Sequence, residues 1–127
     1  MPLDEADLKY MWDMLDAARR TVAFTSGVTR ETYLTDLLRQ SAVERVIEII
    51  GEAARHVTNE GRAQVPTVAW TAIVGTRHII AHEYGSIDHD RIWRIATTHV
   101  PALIQALAPV LEANPPGPAS QADPAEP

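Results

Sequence analysis

Cysteine is absent from the 127 residues, which removes disulfides and thiolate-held zinc from consideration. Aromatic residues are scarce at 6%, against a hydrophobic content of 46% that is rich in Ala, Leu, Ile and Val. A core of that kind is aliphatic, and it predicts helices packed on helices. There is one lysine, so ten of the eleven basic residues are arginine, and 17 carboxylates outweigh them to give a net charge of −6. That balance argues against a protein that coats nucleic acid non-specifically, because such binding depends on neutralising many phosphates; a small local phosphate site stays open. The start, MPLDEADLKY, is acidic and lacks the apolar run of a signal peptide, and no stretch is apolar for long enough to span a bilayer. The expectation is one all-α domain over residues 1–113, cytoplasmic, with one buried core.

Along the chain, Leu8, Met11, Trp12, Leu15, Ala18 and Val22 recur at three- and four-residue steps after a capping Asp4, predicting a first helix that ends near Ser26 and Gly27. Thr29 signals a second start, and a long pattern follows from Tyr33 to about Val57 with an apolar arc too wide for a simple surface helix. A helix like that sits centrally or meets another subunit. Gly51 within it costs about 1 kcal/mol relative to alanine, which points to a packing reason such as close approach of a neighbouring backbone, with local flexibility as the alternative. Residues 58–66 carry Asn59, Gly61 and Pro66 and read as a loop. A third helix runs from about Thr67 to Gly85 and Ser86; Asp88 caps a fourth, whose apolar stripe keeps its phase through Pro101 and so predicts one kinked helix. The final stretch, NPPGPASQADPAEP, has five prolines and little to bury, and is expected to be disordered.

The densest chemistry lies in GTRHIIAHEYGSID, residues 75–88. Arg77 and His82 are five residues apart, about 140° around an ideal helix. Both can reach one substrate only if the helix unwinds or a second copy of the chain completes the site across a two-fold axis. His78 and His82 have the H-x3-H spacing of metal ligands, but no third ligand is evident, and no metal or cofactor is predicted. Glu48 and Glu52 share a helical face with Arg45 and Arg55, which reads as a solvated charged stripe.

The combination of IGEAA at Ile50–Ala54, Trp70, R-x4-H-x-Y at Arg77, His82 and Tyr84, then Ile87, Asp88 and Trp93, resembles the HepT-like toxins of the HEPN superfamily. The resemblance extends from the first helix to about Leu107. It implies an antiparallel bundle of four to five helices, a homodimer or higher homo-oligomer, and a ribonuclease toxin paired with an MntA-like nucleotidyltransferase antitoxin. It carries an RNA-cleaving role onto Arg77 and His82, and AMP modification by the antitoxin onto Tyr84. Two positions depart from the family pattern: His78 stands where asparagine is usual beside the arginine, and Glu83 where glycine is frequent after the histidine.

The residue types suit that chemistry. Metal-free RNA cleavage needs proton transfer at the 2′-hydroxyl and the 5′-oxygen, which an imidazole can provide near neutrality, and a cation on the phosphate, which arginine can grip with two N–H groups. A bulky anion attached to Tyr84 would block the cleft and compete for Arg77. The alternative is a non-catalytic HEPN module that binds a nucleotide or a partner, with Glu83 opposing RNA phosphates.

Overall fold

The computed structural model describes residues 3–83 and 85–115. The expected tail therefore falls almost wholly outside the described residues. The structure is helical throughout: α1 (Glu5–Thr25), α2 (Arg30–Tyr33), α3 (Leu37–Arg55), α4 (Asn59–Gln64), α5 (Trp70–His82), then α6 (His89–Arg94), a π-helical turn (Ile95–His99) and α7 (Val100–Glu112). Among the described residues no helix is long and apolar enough to cross a membrane.

Capping residues set most of the boundaries. The side chain of Asp4 accepts from the backbone N–H of Ala6 and Asp7, and those of Thr29, Asp36, Thr58 and Asp88 cap α2, α3, α4 and α6 in the same manner. Gly27 and Gly85 follow α1 and α5 with φ of +75° and +90°, a left-handed turn that glycine adopts without penalty. The long second pattern divides into two helices. Asp36 starts α3 afresh, and Gln40 Nε2 donates to the carbonyl of Tyr33 at 3.0 Å across the break. The segment expected to be a loop holds α4. Thr58 caps it, and its register is fixed by buried Asp7, which accepts from the Thr58 N–H at 2.9 Å and from its hydroxyl at 2.5 Å.

α3 is the centre of the bundle. α1 packs on one side of it and α5 on another, while α7 lies against α1. The width of its apolar arc is used up within one chain by Val43, Val46, Ile47, Ile50, Ala53 and Ala54. Gly51 lies where α3 and α5 come closest. A Cβ there would overlap the Cβ of Arg77 and stand 3.0 Å from the Ile73 carbonyl oxygen, so the expected backbone approach is real and it is made by the motif helix.

α1 buries Met11, Leu15 and Ala18 of its predicted stripe and packs Leu8 and Trp12 against the core, but the buried face is wider than the apolar residues suggest. Asp7, Thr21 and Thr25 are buried beside Met11, Met14 and Ala18, whereas Val22 is exposed. The threonine hydroxyls donate back to the carbonyls of Ala17 and Thr21 at 2.9 and 3.0 Å, which removes the cost of burying them. Of the three tryptophans, Trp70 is buried, while Trp12 and Trp93 pack on the core half-covered. Helical structure is continuous from His89 to Glu112, as the stripe predicts, and the irregularity expected of a kinked helix takes the form of a π-helical turn in this rod. Pro101 has no N–H to offer and its ring crowds the preceding turn; the π-helical turn just before it opens that turn, with the Val100 N–H donating to Ile95 O.

Candidate active site

α5 carries the motif as an unbroken helix through His82. Its inner face places Trp70 and Ile80 in the core, and Arg77 comes along on the same side, half-buried against α3. The Arg77 Nε lies 3.2 Å from Glu52 Oε1, but its N–H is not aligned on that oxygen, so the contact is an ion pair without a linear hydrogen bond. Arg77 lines an open cleft of about 480 Å³ between α1 and α3, which also takes in Tyr10, Asp13, Arg45, Glu48 and His56.

Glu52 lies on the solvated charged stripe that the sequence predicts, paired with Arg55, and it also makes contacts that the pattern does not show. It is the hub of a charged cluster: it meets Arg55 at 3.0 Å, His56 at 3.2 Å and Arg77 at 3.2 Å. Hydrogen bonds from Arg55 and then His56, with Arg77 adding its charge, pull its carboxyl down to about 2. The stripe continues through Arg45 and Glu48, a pair at 3.5 Å. The signal available in the sequence was the IGEAA string itself, because Glu52 follows Gly51 and the close approach of α5 at that glycine brings Arg77 against it. His56 stacks on Tyr10 with ring centroids 5.0 Å apart and completes this wall of the cleft.

His82 lies elsewhere. It is exposed on the last turn of α5, its ring stacked 4.2 Å from that of His78 at 20° and its Nδ1 3.2 Å from the His78 carbonyl oxygen. The helix does not unwind between Arg77 and His82, so a single chain leaves them on different faces. The His78–His82 pair is not joined by a third acidic or imidazole side chain in any group able to hold a metal, among the described residues. Glu83 closes α5 and is exposed. Its N–H donates to Ile79 O, and its own carbonyl oxygen accepts from the Ser86 N–H and hydroxyl. Tyr84 lies outside the described residues.

A second polar group occupies the α3–α6 contact. Tyr33 is fully buried, Glu44 is within 3.1 Å of the His89 Nδ1, and burial pushes both the Tyr33 hydroxyl and the Glu44 carboxyl upward, with His89 opposing the shift at Glu44.

The motif therefore sits on a helix whose arginine is anchored in a cleft and whose histidine is presented outward. A family profile described as "Ribonuclease HepT-like" matches residues 14–110, which includes all of α3 and α5 and nearly all of the rod. The chain belongs to the HepT-like ribonuclease family. Among curated relatives, a Methanocaldococcus jannaschii protein provisionally named an RNase is 33% identical over 102 residues, covering 80% of this chain and 94% of its own length. A Thermococcus cleftensis protein named probable ribonuclease HepT is 30% identical over 94 residues, covering 74% of this chain and 86% of the relative. A second M. jannaschii protein with an RNase name is 28% identical over 103 residues, covering 81% and 85%. No solved structure matches the chain. The helical bundle is the one expected of a HepT-like member of the HEPN superfamily.

Proposed function

We propose that this chain is a metal-independent endoribonuclease, the toxin of a HepT/MntA-type toxin–antitoxin pair, working as a homodimer and neutralised by AMP on Tyr84. The observation that carries the reading is the R-x4-H pair on α5 of a HepT-like chain, with Arg77 braced by Glu52 and His82 facing outward. The names of its relatives support RNA as substrate.

In this reaction the 2′-oxygen of RNA attacks the adjacent phosphorus while the bond to the 5′-oxygen breaks. The 2′-hydroxyl proton passes to a base and the leaving 5′-oxygen takes a proton, so the products are a 2′,3′-cyclic phosphate and a 5′-hydroxyl. His82 performs proton transfer, and Arg77 holds the phosphate oxygens as charge gathers on them. Glu52 fixes the guanidinium by its Nε edge, which leaves the Nη groups to grip a phosphate. His78 supports the His82 ring by stacking, and Glu83 sets the local charge at the mouth. Because α5 is straight, one phosphate meets both groups only where two copies of α5 converge across a two-fold axis. AMP on Tyr84, two residues from His82, puts an anion in that cleft and competes for Arg77.

The test is cleavage of mixed cellular RNA by the purified, unmodified chain in excess EDTA, with the product ends analysed. Cyclic phosphate ends are expected, with the rate falling about a hundredfold or more in His82→Ala. An unmodified dimer that cuts nothing would sink the nuclease reading and favour a binding module. Incubation with the partner nucleotidyltransferase and ATP should add AMP to the peptide that holds Tyr84 and abolish cleavage.

A further inference from the structure

A second groove, of about 390 Å³, runs between α5 and the rod formed by α6 and α7. Its floor is aliphatic, built from Ile47 and Ile50 of α3 with Ile73 of α5, and its rod-side rim carries Arg91, Arg94 and His99, all exposed. No carboxylate lines it among the described residues. In a chain with 17 acidic residues and 11 basic ones that is a marked segregation, and the cleft at Arg77 shows the contrast, holding Asp13, Asp16, Glu48 and Glu52. The acid nearest to Arg94 in sequence, Asp90, is engaged chiefly by Arg30 at 2.7 Å.

An apolar floor beside two arginines and an imidazole suits a ligand with flat apolar faces along one edge and regularly spaced anions along the other. Single-stranded RNA has that form, and arginine guanidinium planes can also stack on its bases. The groove also runs along the motif helix, although Arg77 itself opens into the other cleft. Thr76 on its α5 wall immediately precedes Arg77, and His82 lies about 9 Å further along the same helix axis. We infer that this groove holds the single-stranded RNA flanking the cleaved bond, with bases against the aliphatic floor and phosphates against Arg91, Arg94 and His99. The inference rests on the ribonuclease reading for the identity of its ligand.

The experiment measures binding of a short 2′-O-methyl oligoribonucleotide, which cannot be cut, to the full chain by fluorescence anisotropy at several salt concentrations. It compares wild type, Arg91→Ala/Arg94→Ala, and Ala72→Trp, which fills the groove from α5. Each variant should bind about tenfold or more weakly, and the double variant should lose about 1.4 from the slope of log affinity against log salt, the value for two phosphate contacts on a single strand. Cleavage of a dinucleoside monophosphate, too short to reach the groove, should be unchanged. Wild-type binding in both variants overturns the inference. So does AMP binding as tightly as the oligonucleotide, which would make this a mononucleotide pocket. A change in sedimentation of Ala72→Trp with intact RNA binding would make it a protein interface, which overturns the inference too. If wild type leaves the dinucleotide uncut while both variants still lose the oligonucleotide, the nuclease reading fails and the groove stands.

Discussion

At Glu52 one carboxylate faces two arginines and an imidazole, and its behaviour with pH follows from that crowding. Its carboxyl is held down to about 2, first by Arg55, against an ordinary value of 4.5. A depressed acid contributes stability that is fully present above its unfolded value and disappears as pH falls through its folded one. The contribution of Glu52 is therefore complete above about 4.5 and lost towards about 2. Carboxyl NMR titration should place the Glu52 midpoint near 2 and show it moving upward in Arg55→Gln; a midpoint near 4.5 in the wild type would contradict the cluster. Glu44 has the opposite sign. Burial raises it, so the fold gains from its protonation and loses stability as pH rises through its range. Thermal melts at pH 8 should show Glu44→Gln more stable than wild type, with the difference vanishing in acid. These residue roles were only partly legible in the sequence. Arg77 and His82 stood out by type and spacing; the charge pattern correctly put Glu52 on a solvated stripe with Arg55, but could not show that α5 crosses α3 one residue away.

Elements meet where small or hydrogen-bonded residues let them. Gly51 is the contact point of α3 and α5, and Gly51→Ala forces a methyl into the Arg77 side chain. Overpacking of this kind costs about 1–3 kcal/mol, and the same displacement moves Arg77 off Glu52. The variant should melt lower and cleave RNA more slowly; a melt equal to that of wild type would mean the helices can part freely. The tie between α1 and α4 depends on Asp7. Replacing it with alanine removes two hydrogen bonds to a charged acceptor inside the protein, a loss of about 2–4 kcal/mol measurable by urea denaturation. The helix boundaries followed the capping residues closely, since a side chain that accepts a backbone N–H acts locally. The buried face of α1 was legible only in part, because threonine hydroxyls satisfied by their own helix, and an aspartate satisfied from fifty-one residues away, are core residues that hydropathy counts as surface.

Across the whole molecule, the fold explains why one chain is an incomplete enzyme under the proposed mechanism. A central α3 absorbs α1 and α5 on its own wide apolar arc, so that arc is spent within the chain. What α5 leaves outward is the face bearing His78 and His82, while Arg77 looks into the cleft between α1 and α3. The sequence already contained the 140° that separates the two motif residues; whether the helix bends to close that angle depends on packing from other elements, and it does not bend. Under the proposed mechanism, joining them on one phosphate is left to a second copy of the chain.

The most direct test of that claim mixes two inactive proteins, Arg77→Ala and His82→Ala, after dissociation and reassembly. Each mixed dimer then carries one intact arginine and one intact histidine on different copies. Metal-free cleavage should return to about a quarter of the wild-type rate, since half of the dimers are mixed and each regains one of two sites. A mixture that stays as inactive as its components, with exchange verified and wild type active in parallel, would contradict a site shared across the two-fold axis.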